Sequence, residues 1–141
     1  MKQKIFLDHI GIATANLDTS SPFWTLIGLH NNGEDEVVLD QGVTTRFFST
    51  SDFEKNVHPP KIELLEPTSE DTPIGKFLSK RGPGVQQICF RVEDLELMIK
   101  SMLDNGVVMI DEVPRLGAGG KKIAFVHPKS TGGVLVELTQ Y

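Results

Sequence analysis

Four polar residues sit inside otherwise apolar stretches: His9 in LDHIGIA, Glu63 in KIELLE, Gln87 in GVQQICF and Glu137 in VLVELT. An ionised carboxylate among apolar neighbours is costly unless a cation or strong donors compensate it. Two carboxylates brought to face each other cannot both stay charged cheaply. One imidazole, one amide oxygen and two carboxylates around a common centre would all be satisfied by a divalent cation. The spacing supports treating them together, because Gln87 follows His9 by 78 residues (87 − 9) and Glu137 follows Glu63 by 74 (137 − 63).

The elements that must carry these residues repeat along the chain. LDHIGIATANLD near the start and GVQQICFRVEDLE further on align at the same offset of 78, pairing Ile10 with Ile88, Ile12 with Phe90, Asn16 with Asp94, Leu17 with Leu95 and Gly28 with Gly106. Register kept through a strand, a helix start and a closing glycine indicates a duplicated module. In the first copy, about residues 4–66, Ile5 to Thr14 reads as a strand. Asn16 or Asp18 then caps a helix through Ile27 with Pro22 in its first turn, ended by Gly28. Glu36 to Asp40 and Gly42 to Ser49 form a hairpin, and Lys61 to Glu66 a last strand after His58-Pro59-Pro60. A connector, about 67–83, holds a short helix begun by Thr72 and Pro73. In the second copy, about 84–141, Gln86 to Val92 precedes a helix with an apolar stripe of Leu95, Met98, Ile99, Met102 and Leu103. Strands follow at Val107 to Ile110, Lys121 to Val126 and Gly133 to Thr139. The pattern is α+β, with two paired βαβββ modules in a single domain.

The totals exclude several functions. The 141 residues suit one domain, and no apolar run approaches a membrane span. MKQKIF runs straight into a strand without the apolar core of a signal peptide, so a cytoplasmic protein is expected. A net charge of −5 argues against general nucleic-acid binding, and the lone Cys89 reads as a core thiol. His30, His58 and His127 fall in turn-like contexts and read as solvated or structural.

Taken in order, LDHIGIA, IELLEP, TPIGKFLSKRGPGV, IDEVPRLGAGGKKIAFVHPKS and GGVLVEL resemble the methylmalonyl-CoA epimerases of the vicinal oxygen chelate (glyoxalase/bleomycin resistance) superfamily, from about Asp8 to the C-terminus. The resemblance implies modules paired into a cupped, barrel-like mixed sheet, a divalent metal held by His9, Glu63, Gln87 and Glu137, and a homodimer. It also implies an acyl-CoA substrate, whose α-proton is removed to give an enolate stabilised by the metal. Glu137 serves as one acid/base group. For the CoA phosphates, Arg115, Lys121, Lys122 and Lys129 around the glycine-rich segment form the candidate basic patch.

Two positions depart from the family pattern. Gly84-Val85-Gln86-Gln87 replaces a Gly-x-His-His context, and an amide oxygen shifts preference toward Mn²⁺, Mg²⁺ or Co²⁺ rather than Zn²⁺. Thr45 stands where some members carry a second acid/base glutamate. If Gly42 to Ser49 is a strand, Thr45 faces the metal-bearing side and Arg46 points away. A water, Asp40 or Asp71 would have to replace the missing carboxylate. Two other activities compatible with this fold are a glyoxalase-type lyase or isomerase acting on a thiol adduct, and non-catalytic ligand sequestration.

Overall fold

The computed structural model describes residues 2–31, 33–51 and 58–141, which fall into two compact units. The first unit is His9–Gln86; the second joins Met1–Asp8 to Gln87–Tyr141. The first contains most of β1 (Phe6–Ala13), then α1 (Leu17–Leu26), β2 (His30–Asn31), β3 (Glu36–Val38), β4 (Val43–Ser49), β5 (Lys61–Pro67) and α2 (Pro73–Arg81). β4 pairs antiparallel with β5, β3 and β2, and β5 runs parallel to β1. The second contains most of β6 (Gly84–Arg91), then α3 (Leu95–Asp104), β7 (Arg115–Leu116), β8 (Lys122–Val126) and β9 (Val136–Gln140). Here β6 runs parallel to β9, and β8 lies antiparallel between β9 and β7.

The duplication extends to the hydrogen bonds. α1 and α3 each have ten residues and start 78 apart. Asn16 Oδ1 accepts from Thr19 N at 3.0 Å, and Asp94 Oδ1 from Leu97 N at 2.9 Å. Each helix also receives a second acceptor from the last strand of its own unit: Glu66 Oε1 takes Leu17 N at 3.1 Å, and Gln140 Oε1 takes Leu95 N at 2.8 Å. These bonds satisfy amides that the first turn of a helix leaves open. The change of offset from 78 to 74 falls in the connection before the last strand.

Each helix covers one face of its sheet. Leu17 packs with Phe48 and Leu64, against Ile12, Trp24, Leu29 and Ile62. In the second unit Leu95, Ile99, Met109, Val92, Ala124, Val126 and Leu138 are buried together, flanked by Met98 and Met102. Leu103, expected on the same stripe, is 38% exposed and lies off it.

Three local expectations change. Pro22 is not in the first turn of its helix, because the Asn16 cap starts α1 at Leu17 and leaves the proline exposed at the sixth position. Val107 to Ile110 does not form a strand; it makes one bridge, Met109 with Val126. That bridge is the counterpart, 78 residues on, of the pairing of Asn31 with Phe48 in β2, so two residues suffice for this edge in both units. His30 accordingly lies in a short strand opposite Ser49 rather than in a turn. The Asp40-Gln41-Gly42 turn is a single 3-10 turn, Leu39–Gln41, closed by Gly42 at φ 65°, where a side chain would be strained.

Candidate functional site

In the first unit α1 covers the face bearing Ile12, Phe48, Ile62 and Leu64, so side-chain alternation puts their neighbours on the other face. Register then fixes which residues share it. Glu63 lies opposite Gly11 on one side and Phe47 on the other, Leu65 opposite Thr45, and Thr45 opposite Glu36. His9, two residues before Gly11, has the same orientation. His9 Nε2 lies 3.2 Å from Glu63 Oε1, with the imidazole edge-on to Phe47 at 5.7 Å between ring centres. Both partners are buried, at 6% and 4% exposure, in a setting that holds the imidazole in one orientation and leaves the carboxylate in a poor dielectric.

The second unit repeats the arrangement with different residues. α3 covers the face of Phe90, Val126, Val136 and Leu138, and register sets Glu137 opposite Cys89 on β6 and Phe125 on β8. Gln87, Cys89 and Glu137 therefore share the uncovered face, where Gln87 Nε2 donates to Glu137 Oε1 at 3.4 Å. Gln87 and Glu137 are each 4% exposed. Cys89 is fully buried but belongs to this polar face rather than to the core under α3.

Thr45, 2% exposed, lies on the same face as Glu63, and its hydroxyl donates to the Glu36 carbonyl at 3.5 Å. Arg46 turns to the opposite face. There its guanidinium donates to Asp35 Oδ1 and Oδ2 at 2.7 Å, to Asp18 at 3.0 Å and to Ser21 at 2.8 Å. The hydrogen bond from Arg46 holds the Asp35 carboxyl below its usual range, and the same bond pushes the guanidinium further toward the charged form. Asp40 and Asp71 are both exposed, in the 3-10 turn and ahead of α2, and neither stands on a strand of the polar face.

The four basic residues do not form one patch. Arg115 and Lys121 flank the glycine turn on the polar face. Arg115 Nε pairs with Asp111 at 3.2 Å, and Lys121 Nζ lies 3.7 Å over the Tyr141 ring. Lys122 turns to the α3 side, 4.0 Å from Glu96. Lys129 is exposed in the turn at the far end of β8. Sequence reading also missed a group around Tyr141. Its hydroxyl donates to buried Asp8, Arg91 lies 3.7 Å from Asp8, and the Arg91 guanidinium is 4.9 Å from both the Phe6 and Tyr141 rings. Burial first, and the Asp8 contact second, push the Tyr141 phenol well above its normal range. Nothing in the local composition marks these residues, which are far apart in sequence.

The donor set suits a divalent cation. Each unit offers a buried carboxylate beside a second donor, the His9 imidazole or the Gln87 amide, which presents its oxygen on rotating half a turn.

Residues 8–125 match the model of the Glyoxalase/Bleomycin resistance protein/Dioxygenase superfamily. The chain is 38% identical over 135 residues to a methylmalonyl-CoA epimerase of Dictyostelium discoideum, an alignment covering 95% of this chain and 77% of that one. It is 36% identical to an ethylmalonyl-CoA/methylmalonyl-CoA epimerase of Cereibacter sphaeroides, over 95% and 96% of the two chains. A solved structure of a variant Streptomyces coelicolor methylmalonyl-CoA epimerase with 2-nitronate-propionyl-CoA superposes with a TM-score of 0.88 at 37% identity, covering 96% of this chain and 93% of the other. The chain belongs to the methylmalonyl-CoA epimerase family. It is thus a member of an isomerase class, with the α+β vicinal oxygen chelate fold that the resemblance implied. Among the described residues, no helix of this epimerase-family chain is long and apolar enough to cross a membrane.

Proposed function

We propose that the protein inverts the α-carbon of a short branched acyl-CoA, methylmalonyl-CoA foremost, by moving one proton. The observation that carries this reading is the Glu137 carboxylate, buried on the uncovered sheet face with Gln87 beside it, in a chain related to epimerases over nearly its whole length. His9, Glu63, Gln87 and Glu137 are the residues that would hold a divalent cation, which supplies Lewis acidity for a developing enolate oxygen. Glu137 takes the α-proton on one face of the substrate or returns it there. Its buried setting keeps bulk water from competing for that proton and strengthens every charge interaction nearby. Phe47 against His9 and the His9–Glu63 contact fix the imidazole before substrate arrives. Arg115 and Lys121, on the polar face beside the glycine turn, are the cations best placed to meet CoA phosphates.

The test is α-proton exchange into deuterium oxide over a panel of acyl-CoA esters, with and without added Mn²⁺ or Co²⁺. Exchange and inversion of methylmalonyl-CoA are expected in the wild type, together with a fall of roughly 10²- to 10⁴-fold in Glu137→Gln, which keeps the size and one oxygen but removes the base. Full activity of that variant rejects the role of Glu137. Binding of CoA esters with no exchange in the wild type would instead mark a ligand-binding member of the fold.

A further inference from the structure

Within the second unit, the chain leading into β7 leaves the sheet edge and returns to it. Met109 bridges Val126 and Arg115 pairs with Ile123, so six steps along one chain (115 − 109) face three along the other (126 − 123). The surplus leaves the ladder, with Glu112 and Val113 exposed. A departure of this kind re-aims the side chains at its ends. The Phe125 carbonyl accepts from two successive amides, Ile110 at 2.9 Å and Asp111 at 3.2 Å, and the Phe125 N–H donates to Asp111 Oδ2 at 2.9 Å. The other oxygen of that carboxylate, Oδ1, lies 3.2 Å from Arg115 Nε, and the Arg115 guanidinium is 5.5 Å from the centre of the Phe125 ring. One carboxylate therefore ties the backbone of β8 to a cation on β7.

We propose that Asp111 is a positioning residue for acyl-CoA binding: it holds the Arg115 guanidinium over Phe125, where the cation meets an anionic oxygen group of the ligand. Three observations carry it. Phe125 is paired directly opposite Glu137, so the cation is anchored on the strand next to the one that bears this carboxylate, on the same face. The Asp111 side chain is 15% exposed and that of Arg115 33%, so the anchor is the drier partner and the cation the one within reach of a ligand. The contact is made through Nε, and a guanidinium has further donors for bidentate capture of a carboxylate or phosphate. An untethered arginine surrenders its rotamer freedom when it binds, whereas one held by a neighbouring carboxylate has surrendered it beforehand. The shared ligand chemistry is an anionic oxygen, found both in the CoA phosphates and in a carboxylate on the acyl group.

The inference rests on the epimerase reading, so binding and α-proton exchange are measured side by side. Wild type, Asp111→Asn, Arg115→Gln and the double variant are titrated with CoA, methylmalonyl-CoA and methylmalonyl-pantetheine, which lacks the CoA phosphates. Asparagine keeps an oxygen for the Phe125 amide and removes the charge that holds Arg115. Asp111→Asn should bind methylmalonyl-CoA about tenfold more weakly, and the double variant should bind no more weakly than Arg115→Gln alone, because the two residues act as one unit. Asp111→Glu, which restores the charge, should recover part of the affinity. At saturating ester, exchange in Asp111→Asn should stay within about threefold of wild type, with the loss carried by KM. Weakened binding of CoA itself supports the inference with a phosphate as the captured group, and weakened binding of the pantetheine ester supports it with the acyl carboxylate. Losses that multiply in the double variant overturn it, since they place the effect of Asp111 in the Phe125 backbone bond rather than in Arg115. Unchanged affinity in Asp111→Asn also overturns it, and leaves the epimerase reading intact when the wild type exchanges the α-proton. A wild type that neither binds nor exchanges an acyl-CoA overturns both.

Discussion

Gln87 bears directly on which metal the protein would use. It pairs with Glu137 as a neutral amide, and the strand register leaves no freedom to move the side chain to another face without slipping β6 by a residue. Replacing it by imidazole keeps a donor at the same place but changes its chemistry. Gln87→His is therefore expected to bind Co²⁺ and Zn²⁺ more tightly, by about tenfold, or ~1.4 kcal/mol. Isothermal titration checks this, and an unchanged affinity would place Gln87 outside the ligand set. His9 and Glu63 form the complementary pair, in which Phe47 holds the ring edge-on. His9, Glu63, Gln87 and Glu137 stand out in the sequence because each is a polar residue inside an apolar strand, and the fold buries all four. The register of Glu36 opposite Thr45 was not legible there, since it depends on which residues flank the Leu39–Gln41 turn. Once that turn is known, the pairing of 36 with 45 follows.

Strands and helices in this protein are closed by devices used twice. Glu66 and Gln140 end their respective last strands by accepting the first amide of the helix in the same unit, Leu17 or Leu95. Removing either acceptor leaves a partly buried N–H to find a new partner. Glu66→Ala and Gln140→Ala should each cost about 1 kcal/mol, in the range of lost helix caps, without touching α-proton exchange. Denaturant unfolding and the exchange assay read the two effects separately. A loss of exchange in either variant would show that the cap also positions the neighbouring polar face. Helices were read well from sequence because Asn16, Thr72 and Asp94 are strong caps and the glycines after them punctuate clearly. The weak point was the short edge strand. His30–Asn31 and its counterpart at Met109 have too few residues for alternation to show, and only pairing with a longer neighbour defines them. The basic patch was misjudged for a related reason. Residues that neighbour one another in sequence on β8 alternate between faces, so Lys121 and Lys122 part company.

For the whole molecule, the family relation and the acidic total point the same way. A chain of net charge −5 that buries the Glu63 and Glu137 carboxylates gains stability from any cation bound only when it is folded. Adding Mn²⁺ or Co²⁺ at about 100 times the dissociation constant should raise the unfolding free energy by ~2.7 kcal/mol, and removal by chelator should reverse it. Thermal melts with and without metal test this, and no shift would argue against a cation bound selectively to the folded chain. The duplication was legible from the 78-residue offset because strand, cap and closing glycine all kept it. Where the two halves differ, each also carries its own optical signature. The chain has one tryptophan and one tyrosine. Trp24 packs in the first unit beside Leu17, Phe48 and Leu64, edge-on to Phe23, while Tyr141 belongs to the second, held between Arg91 and Lys121. Indole fluorescence and phenol absorbance thus report on different halves without any label. Superimposable melting curves from the two chromophores mean that the halves unfold cooperatively, and separated curves mean that one half melts while the other persists.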